Sequence, residues 1–427
     1  MPPASSAKPR TSQAEELARV LGVLVPVLDI VDTPVETPEP PAWCRERGWL
    51  EFLSNLDDED LFASECGGFA ALLATRANAP AELIELSVRV EQCTRLPALG
   101  TSELALPAAA LRGVNARKRG QLGALLGALS PFAGHAERIV DVGAGRGHLS
   151  RLASELFQRQ TLALDRDPAL LRSGIAQSEQ QASQGGAPPV RFVEANVGRD
   201  RLELQHSDLA VGLHACGELG DRLVVAAAAA RCDVALVSCC LQKTSAPRRL
   251  PLSHEARGFG SFAIRKSALG LTNLTPREDG VETSMAANLR AREARLGLRY
   301  LLRARGLNVA AGEEMRGVNR RRAQSGFADL AGHAFALRGL PAPTELELRT
   351  FAGAAQRDYA VIRRLSLPRS LLARLIELAI VRDRATALEE SGQAVSVAQL
   401  FAQRLTPRNT VLFASADPDR LPPLCAE

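Results

Sequence analysis

The sequence predicts an α/β protein built on a doubly wound parallel sheet. Short apolar runs rich in β-branched residues recur through the middle of the chain, and segments long enough for a helix separate them. Such alternation is typical of parallel sheets covered on both faces. The predicted strands are RIVDVG (138–143), TLALD (161–165), VRFVEA (190–195), DLAVGLHA (208–215) and VALVSCC (234–240).

Helical segments are predicted on either side of this sheet. We expect a disordered N-terminus (1–13), an α-helical N-terminal lobe (14–112), a Rossmann-like sheet domain (113–245) and a C-terminal region (246–427) made of a helical insertion and the final strands. Within the C-terminal region, one helix is expected before Pro368 and another after it, and VSVAQLF and NTVLFAS are expected to complete the sheet.

The amino-acid composition indicates the class of protein and its cellular compartment. The 427 residues are 46% apolar and 23% charged, with a net charge of +4, which is ordinary for a globular chain and only mildly basic. The longest wholly apolar run, LVVAAAAA, is far shorter than the roughly 20 residues of a membrane span. Eight scattered cysteines do not form a disulfide framework. We therefore expect a soluble, reduced, cytoplasmic protein without a membrane or obligate protein partner.

A glycine-rich turn is the most informative stretch. In RIVDVGAGRGHL a strand carries Asp141 and ends in a turn with Gly143, Gly145 and Gly147, after which a helix starts. Glycines let the backbone turn tightly and approach a ligand closely. The next strand ends at Asp165, where a carboxylate can accept hydrogen bonds from ribose hydroxyls.

Two ligands fit a glycine turn and a ribose carboxylate: a dinucleotide and S-adenosylmethionine. The second is favoured because the third glycine comes one residue earlier than in the dinucleotide pattern G-x-G-x-x-G. Asp141 is also suited to hold an amino-acid portion, and Asn196 follows the third strand where an amide could contact adenine. The cofactor residues predicted are Asp141, Gly143, Gly145, Gly147, Asp165 and Asn196.

Four motifs in order resemble one known family. RIVDVGAGRGHLSRLA, VGLHACGELGDRL, LVSCCLQK followed by LPLS, and LTPRNTVLFAS are similar to the methyltransferase-like family whose members include ribosomal RNA adenine dimethyltransferase domain-containing proteins. The resemblance runs from about Trp49 to Ser415. It implies a class I (Rossmann-like) S-adenosylmethionine-dependent methyltransferase, with a sheet completed by an antiparallel strand. Where the family carries His-Glu after a basic pair, this chain has Gly120 and Gln121.

Simpler interpretations exist for several of these residues. The glycines could form a tight turn without a ligand, and Asp165 could cap the next helix, although Asp167 and Pro168 would serve that purpose. Asn196 could stabilise a turn through a hydrogen bond to nearby backbone, as loop asparagines often do.

The ends of the fourth and fifth strands carry the predicted reaction side. His214 is a candidate base or stacking partner for the methyl acceptor, or a residue that only bonds neighbouring backbone, and Cys239 is the second candidate. A zinc site from His214, Cys216, Cys239 and Cys240 is not predicted, because adjacent cysteines on an extended strand point to opposite faces. Thiols lining the pocket are the preferred interpretation.

The methyl acceptor is left open, with RNA favoured. Lys118, Arg119 and the run Arg320 to Arg322 could contact phosphates, or could be solvated. Aromatic residues make up only 4% of the chain, so a base-stacking platform is poorly supported. A protein or small-molecule acceptor, or a cofactor-binding scaffold without catalysis, are the alternatives.

Overall fold

The computed structural model describes residues 12–100, 103–106, 111, 114–182, 188–198, 200–260, 262–274, 282–402, 405–406 and 408–425. Most of the segment 1–13 predicted to be disordered therefore lies outside the described residues. The strands are β1 Arg138–Val142, β2 Gln160–Asp165, β3 Val190–Glu194, β4 Asp208–Ala215, β5 Asp233–Ser238, β6 Arg248–Arg249, β7 Ile264–Arg265, β8 Ala394–Gln399 and β9 Thr410–Ser415.

Helices fill most of the remaining chain, with a few short 3₁₀ turns between them. The helices are α1 Gln13–Leu24, α2 Leu28–Asp32, α3 Ala42–Glu46, α4 Leu50–Ser54, α5 Asp58–Gly67, α6 Phe69–Thr75, α7 Ala81–Thr94, α8 Ala116–Ala133, α9 His148–Phe157, α10 Pro168–Ala182, α11 Glu218–Ala230, α12 His254–Gly258, α13 Lys266–Leu269, α14 Glu282–Ala304, α15 Phe327–Ala336, α16 Glu345–Leu371 and α17 Ala373–Glu390.

Seven strands form one sheet in the order β3-β2-β1-β4-β5-β9-β8. The five strands β1 to β5 pair in parallel, whereas β9 runs antiparallel to β5 and β8 antiparallel to β9. The predicted α/β sheet and its antiparallel completion by NTVLFAS are confirmed. A separate two-stranded sheet of β6 and β7 was not predicted. The strand order reverses between β1 and β4, which is where parallel sheets bind ligands at their carboxyl ends.

Alternate residues of the central strands build two apolar layers. On one face Ile139 and Val211 join a buried cluster with side chains of α8 and α9, such as Leu125 and Leu149. On the other face Val140 and neighbouring strand residues pack with α11 and α17. Burial of both faces explains why the strand sequences are almost continuously apolar.

The chain divides into two compact units. The first comprises Met1–Leu28, Val88–Thr275 and Leu372–Glu427 and holds the seven-stranded sheet, and the second comprises Asp29–Ser87 and Pro276–Leu371. Each unit is assembled from segments that are separated in the sequence. The domain boundaries at residues 112 and 245 stay predictions.

The second unit is helical and has its own apolar cores, one of them formed largely by α14 and α15. Its buried Glu314 accepts hydrogen bonds from Arg295 and Arg299, and Trp43 and Trp49 meet edge to face with ring centroids 6.2 Å apart.

One helix boundary differs from the prediction. Pro368 lies inside α16 rather than between two helices. A proline has no backbone N–H to donate to the carbonyl four residues before it, so α16 lacks that one helical hydrogen bond near its C-terminal end. Among the helices of the described residues, none is long and apolar enough to cross a membrane.

Candidate functional site

The glycine turn connects β1 to α9. Gly143, Gly145 and Gly147 have φ angles of +80°, +58° and +65°, in the left-handed region that favours glycine. A Cβ built on Gly147 would lie 2.5 Å from Cε1 of Phe192, closer than real Cβ atoms come to a neighbour. The backbone N–H of Gly143 donates to the carbonyl of Leu164 at 2.8 Å, which ties the turn to the end of β2. The left-handed backbone conformation therefore favours glycine at all three predicted positions.

Asp141 lies within β1 just before this turn and is almost completely buried. The hydroxyl of Ser150, in the first turn of α9, donates to its Oδ2 at 2.6 Å. Burial raises the pKa of Asp141 to about 6, and the charge of Asp165 adds to this, while Ser150 and the Lys118 ammonium oppose it. The carboxylate thus links β1 to the start of the helix and is mostly ionised at neutral pH.

Cationic groups gather around the same turn. Burial is the main cause that lowers the pKa of Lys118, and the nearby charge of Asp141 partly opposes it. Burial also lowers the pKa of His148 to about 4, with further contributions from Lys118 and Arg151. Arg151 lies 3.2 Å from Nδ1 of His148 and donates to the carbonyl of Arg146 at 2.7 Å. His148 is therefore neutral at physiological pH.

Asp165 ends β2 directly beside the glycine turn. Its Oδ2 accepts from the N–H of Gly145 at 2.8 Å, and its Oδ1 accepts from the N–H of Asp167 at 3.0 Å. Capping of α10 belongs to Asp167, whose Oδ1 accepts from the N–H groups of Ala169 and Leu170. A carboxylate has about four acceptor positions, so Asp165 keeps acceptor capacity for hydroxyl groups of a ligand.

Asn196 follows β3 at the same edge of the sheet. Its N–H donates to the side chain of Asp200 at 2.7 Å, and the N–H of Asp200 returns to the Asn196 carbonyl at 2.7 Å. Asn196 is half-buried and lies two residues beyond Glu194, the last residue of β3. Glu194 pairs with Asp165 in the parallel register, so Asn196 and Asp165 follow neighbouring strand ends. The predicted cofactor residues thus come from neighbouring strand ends, while their contact with a cofactor stays a prediction.

The predicted reaction side lies one strand further along. His214 belongs to β4, and the β4–β5 register shifts between Leu213 and Ala215, which marks a backbone irregularity at this position. The side chain of His214 lies outside the described residues, so its role as a base stays a prediction.

The cysteines after β4 and β5 differ from the sequence expectation. A disulfide joins Cys216 to Cys239, with Cα atoms 5.2 Å apart, whereas the sequence predicts reduced thiols and no disulfide framework. The reason is topological: neighbouring parallel strands bring together residues 23 positions apart. Cys239 is therefore not a free thiol in this state. Cys240 remains a free thiol, and Nη1 of Arg408 lies 3.1 Å from its Sγ.

A buried ion network supports this region from α17. The guanidinium of Arg384 donates to Asp221 at 2.8 Å, to Oγ of Ser238 at 2.7 Å and to the carbonyl of Gly217 at 2.8 Å. Arg249 bridges Asp221 and Asp383 at 2.9 and 2.8 Å. Ser238 ends β5 and Gly217 follows β4, so Arg384 holds both strand ends in place.

Charge and burial oppose each other in this network, and the charges prevail at Asp221 whereas burial prevails at Arg384. Burial pushes the pKa of Asp221 up, but the charges of Arg249 and Arg384 hold that pKa below its ordinary value. The pKa of Arg384 is lowered, chiefly by burial, yet it stays that of a charged guanidinium. Arg384 was absent from the sequence prediction, because α17 lies more than 130 residues beyond β5.

Two of the cations that favoured RNA have partners within the protein. Nε of Arg119 donates to the carbonyl of Val114 at 2.7 Å. In the second unit Arg322 forms an ion pair with Asp329 at 2.9 Å. The side chain of Arg320 lies outside the described residues, and Arg321 is exposed. Arg119 and Arg322 are thus engaged within the protein, while Lys118 is influenced by the charge of the buried Asp141.

Comparison with known families identifies the sheet region. A family model described as "Methyltransferase domain" matches residues 122–247, somewhat less than a third of the chain. The match covers the glycine turn, both strand-end carboxylates and the cysteines. Together with the strand order it defines the class: the chain carries a class I, S-adenosylmethionine-dependent methyltransferase domain.

Solved structures resemble the chain only distantly. One is the precorrin-6y C5,15-methyltransferase of Geobacter metallireducens (20% identity, 33% of this chain, 72% of that chain, TM-score 0.22). Another is geranyl diphosphate methyltransferase in complex with S-adenosylmethionine (15% identity, 54% and 95%, TM-score 0.25). A third is coclaurine N-methyltransferase bound to N-methylheliamine and S-adenosylhomocysteine (13% identity, 52% and 61%, TM-score 0.24). At these TM-scores the likenesses do not bear on the acceptor of this chain.

Proposed function

We propose that the chain binds S-adenosylmethionine at the carboxyl ends of β1, β2 and β3 and transfers its methyl group to an acceptor at the ends of β4 and β5. One observation carries the proposal. The Asp165 carboxylate is fixed beside three left-handed glycines by the N–H of Gly145, and it retains acceptor capacity. A ribose with two vicinal hydroxyls is the ligand that such a carboxylate suits.

Each element of the turn has a task in this proposal. The glycines let the backbone approach the ligand, Asp165 accepts from the ribose, and Asn196 meets the adenine. Asp141 fixes the start of α9 through Ser150 and is suited to orient the positively charged amino-acid portion. The bound cofactor supplies an electrophilic methyl group on a positively charged sulfur.

The protein contributes alignment and exclusion of water to the reaction, with modest help from a base. His214 is the proposed base, because β4 ends beside the switch point where an acceptor would meet the cofactor. Cys239 is proposed as a lining residue rather than a reacting group. A direct in-line transfer needs no covalent intermediate, and the sulfur of Cys239 is bonded to that of Cys216 in a disulfide.

The proposal extends to the class of acceptor. The resemblance to ribosomal RNA adenine dimethyltransferase domain-containing proteins and the net charge of +4 favour RNA, in a cytoplasmic setting. Arg119 and Arg322, two of the five cations that would contact phosphates, are engaged within the protein, so RNA has weaker support than methyl transfer itself. A protein or a small molecule is the competing acceptor.

The test is transfer of an isotopically labelled methyl group from S-adenosylmethionine into separated RNA, protein and small-molecule fractions of the host. We expect label in one fraction with the wild-type chain and much less label with Asp165→Ala at a sub-saturating concentration of S-adenosylmethionine. RNA labelling that falls steeply with added salt would support the RNA acceptor. Labelling of a small amine that does not depend on salt would refute it. Binding of the cofactor without any labelled fraction would favour a non-catalytic scaffold.

A further inference from the structure

Three cysteines meet at the ends of β4 and β5. Cys216 directly follows β4, and Cys239 and Cys240 directly follow β5. Their sulfur atoms all lie within 4.8 Å of one another. In a tetrahedral zinc site, with Zn–S distances of about 2.3 Å, ligand sulfurs are separated by about 3.8 Å. Once the bond between Cys216 and Cys239 is reduced and their sulfurs separate, the cluster has the size needed to surround one ion.

In the folded chain, Cys239 and Cys240 do not alternate between the two faces of the sheet as neighbours along a strand would. Adjacent side chains alternate only while the backbone is extended as a strand. Here β5 ends at Ser238, and Cys239 and Cys240 lie beyond it, so both sulfurs can turn to the same side as Cys216.

The backbone that carries these cysteines is held rigidly. Arg384 binds the Gly217 carbonyl and the Ser238 hydroxyl, one residue away from Cys216 and Cys239 respectively. Gly217 has a φ of +54°, and a Cβ there would lie 2.1 Å from the carbonyl oxygen of Lys243. This close approach brings the segment after β4 against the segment after β5. Rigid support of this kind makes a ligand cluster ready for its ion.

Charge at the cluster also fits a thiolate-bound cation. Three thiolates around a divalent ion leave one negative charge, and Nη1 of Arg408 lies 3.1 Å from Sγ of Cys240. Arg408 is itself held by the side chain of Asn273. A cationic donor to a ligand sulfur is the kind of outer contact that orients and stabilises metal ligands.

We propose that the reduced cluster of Cys216, Cys239 and Cys240 binds one zinc ion. Soft thiolate ligands favour Zn²⁺ among the divalent ions of biology, and three protein ligands leave its fourth position open to water or another ligand. The disulfide is the metal-free alternative of the same cluster. A dithiol reductant supplies two electrons and two protons to give the Cys216 and Cys239 thiols, and binding of Zn²⁺ then releases the three thiol protons.

The test measures zinc on the full chain without S-adenosylmethionine, so its outcome is independent of the proposed methyl transfer. The chain is reduced with a phosphine, freed of metal, and titrated with Zn²⁺ against a chromogenic chelator. We expect one ion per chain. Replacement by Co²⁺ should give the thiolate charge-transfer absorption and the visible bands of tetrahedral cobalt, which report the ligands without any substitution.

Variants separate the cluster from other thiols. Cys216→Ser and Cys240→Ser should each weaken binding by more than the roughly 10- to 100-fold that loss of an outer contact costs. Arg408→Gln should weaken it within that range. Cys66→Ser, which removes a free, half-buried thiol of α5, should leave binding unchanged.

The contrary results are equally definite. Absence of zinc binding by a chain whose Cys216 and Cys239 thiols are shown to be free would overturn the proposal. The same holds for binding that Cys240→Ser leaves intact, or a cobalt spectrum without thiolate bands. Loss of binding after oxidation to the disulfide, and its return on reduction, would support the proposal.

Discussion

The carboxyl edge of the sheet has two halves that are built in different ways. The half formed by β1, β2 and β3 is shaped by backbone, with three left-handed glycines and with carboxylates of Asp165 and Asp200 that accept from the N–H groups of Gly145 and Asn196. The half formed by β4 and β5 is held from a distance, by Arg384 of α17 and Arg408 near β9. The residues of the first half all lie within 141–200, whereas the second half also needs Arg384 and Arg408 from the C-terminal part of the chain.

This difference suits the two tasks proposed for the edge. A cofactor that a whole class of enzymes uses can be bound by a local motif of fixed geometry. An acceptor or a metal differs from one protein to the next, and side chains from distant elements allow that half to vary without disturbing the first. Variants in each half can show whether the halves are as independent as this comparison implies.

The largest effect is expected from removing the distant support. Arg384→Met takes away three hydrogen bonds, two of them buried, and one of the two guanidinium groups that pair with Asp221. Loss of one partner from a buried ion pair costs about 3–5 kcal/mol, so urea unfolding followed by circular dichroism should show a loss of that size. Arg222→Met serves as the control, because it breaks an exposed pair with Glu218 on α11 and should cost less than about 1 kcal/mol.

An equal loss of stability in these two variants would contradict the network's role. If the halves are independent, Arg384→Met should also bind S-adenosylmethionine as the wild type does, under conditions where it remains folded.

A smaller effect is expected from pH at the cofactor half. The folded pKa of Asp141 is about 6 against an ordinary 3.8, so the folded chain holds this proton more tightly and stability is lost as pH rises from about 4 to 6. The folded pKa of His148 is about 4 against 6.5, so its contribution has the opposite sign: stability is lost as pH falls from about 6.5 to 4. The two dependences therefore oppose each other in the wild type.

Substitutions should separate the two groups. Relative to the wild type, Asp141→Asn should gain stability as pH rises from 4 to 6, by up to about 3 kcal/mol. His148→Gln should change in the opposite direction and by less, because His148 is only half-buried. Unfolding free energies measured across this range for the three proteins provide the check, and parallel curves would show that neither group is perturbed in this way.

Several features could be predicted from sequence because their causes are local. Strand periodicity and the glycine turn indicated β1 to β5, and NTVLFAS indicated the antiparallel strand. The glycines were predicted from residue type alone, and their left-handed φ angles provide the physical reason.

Other features could not be predicted, because they depend on where distant segments meet. The disulfide between Cys216 and Cys239 follows from the pairing of β4 with β5, and nothing in the spacing of 23 residues indicates it. The alternation rule failed at Cys240 because the strand ends two residues earlier than predicted. Lys118 was considered as a phosphate contact, but its main charged neighbour is the buried Asp141, and this too is a product of the fold.

The most direct test of the proposed cofactor site is a calorimetric titration of the full chain with S-adenosylmethionine. We expect one site per chain, and at least about tenfold weaker binding by Asp165→Ala, since hydrogen bonds to a charged group contribute about 1.5–3 kcal/mol. Asp167→Ala removes the neighbouring carboxylate that caps α10 and should bind as the wild type does. Absence of binding by the wild type, or equal binding by wild type and Asp165→Ala, would contradict a cofactor site at this edge of the sheet.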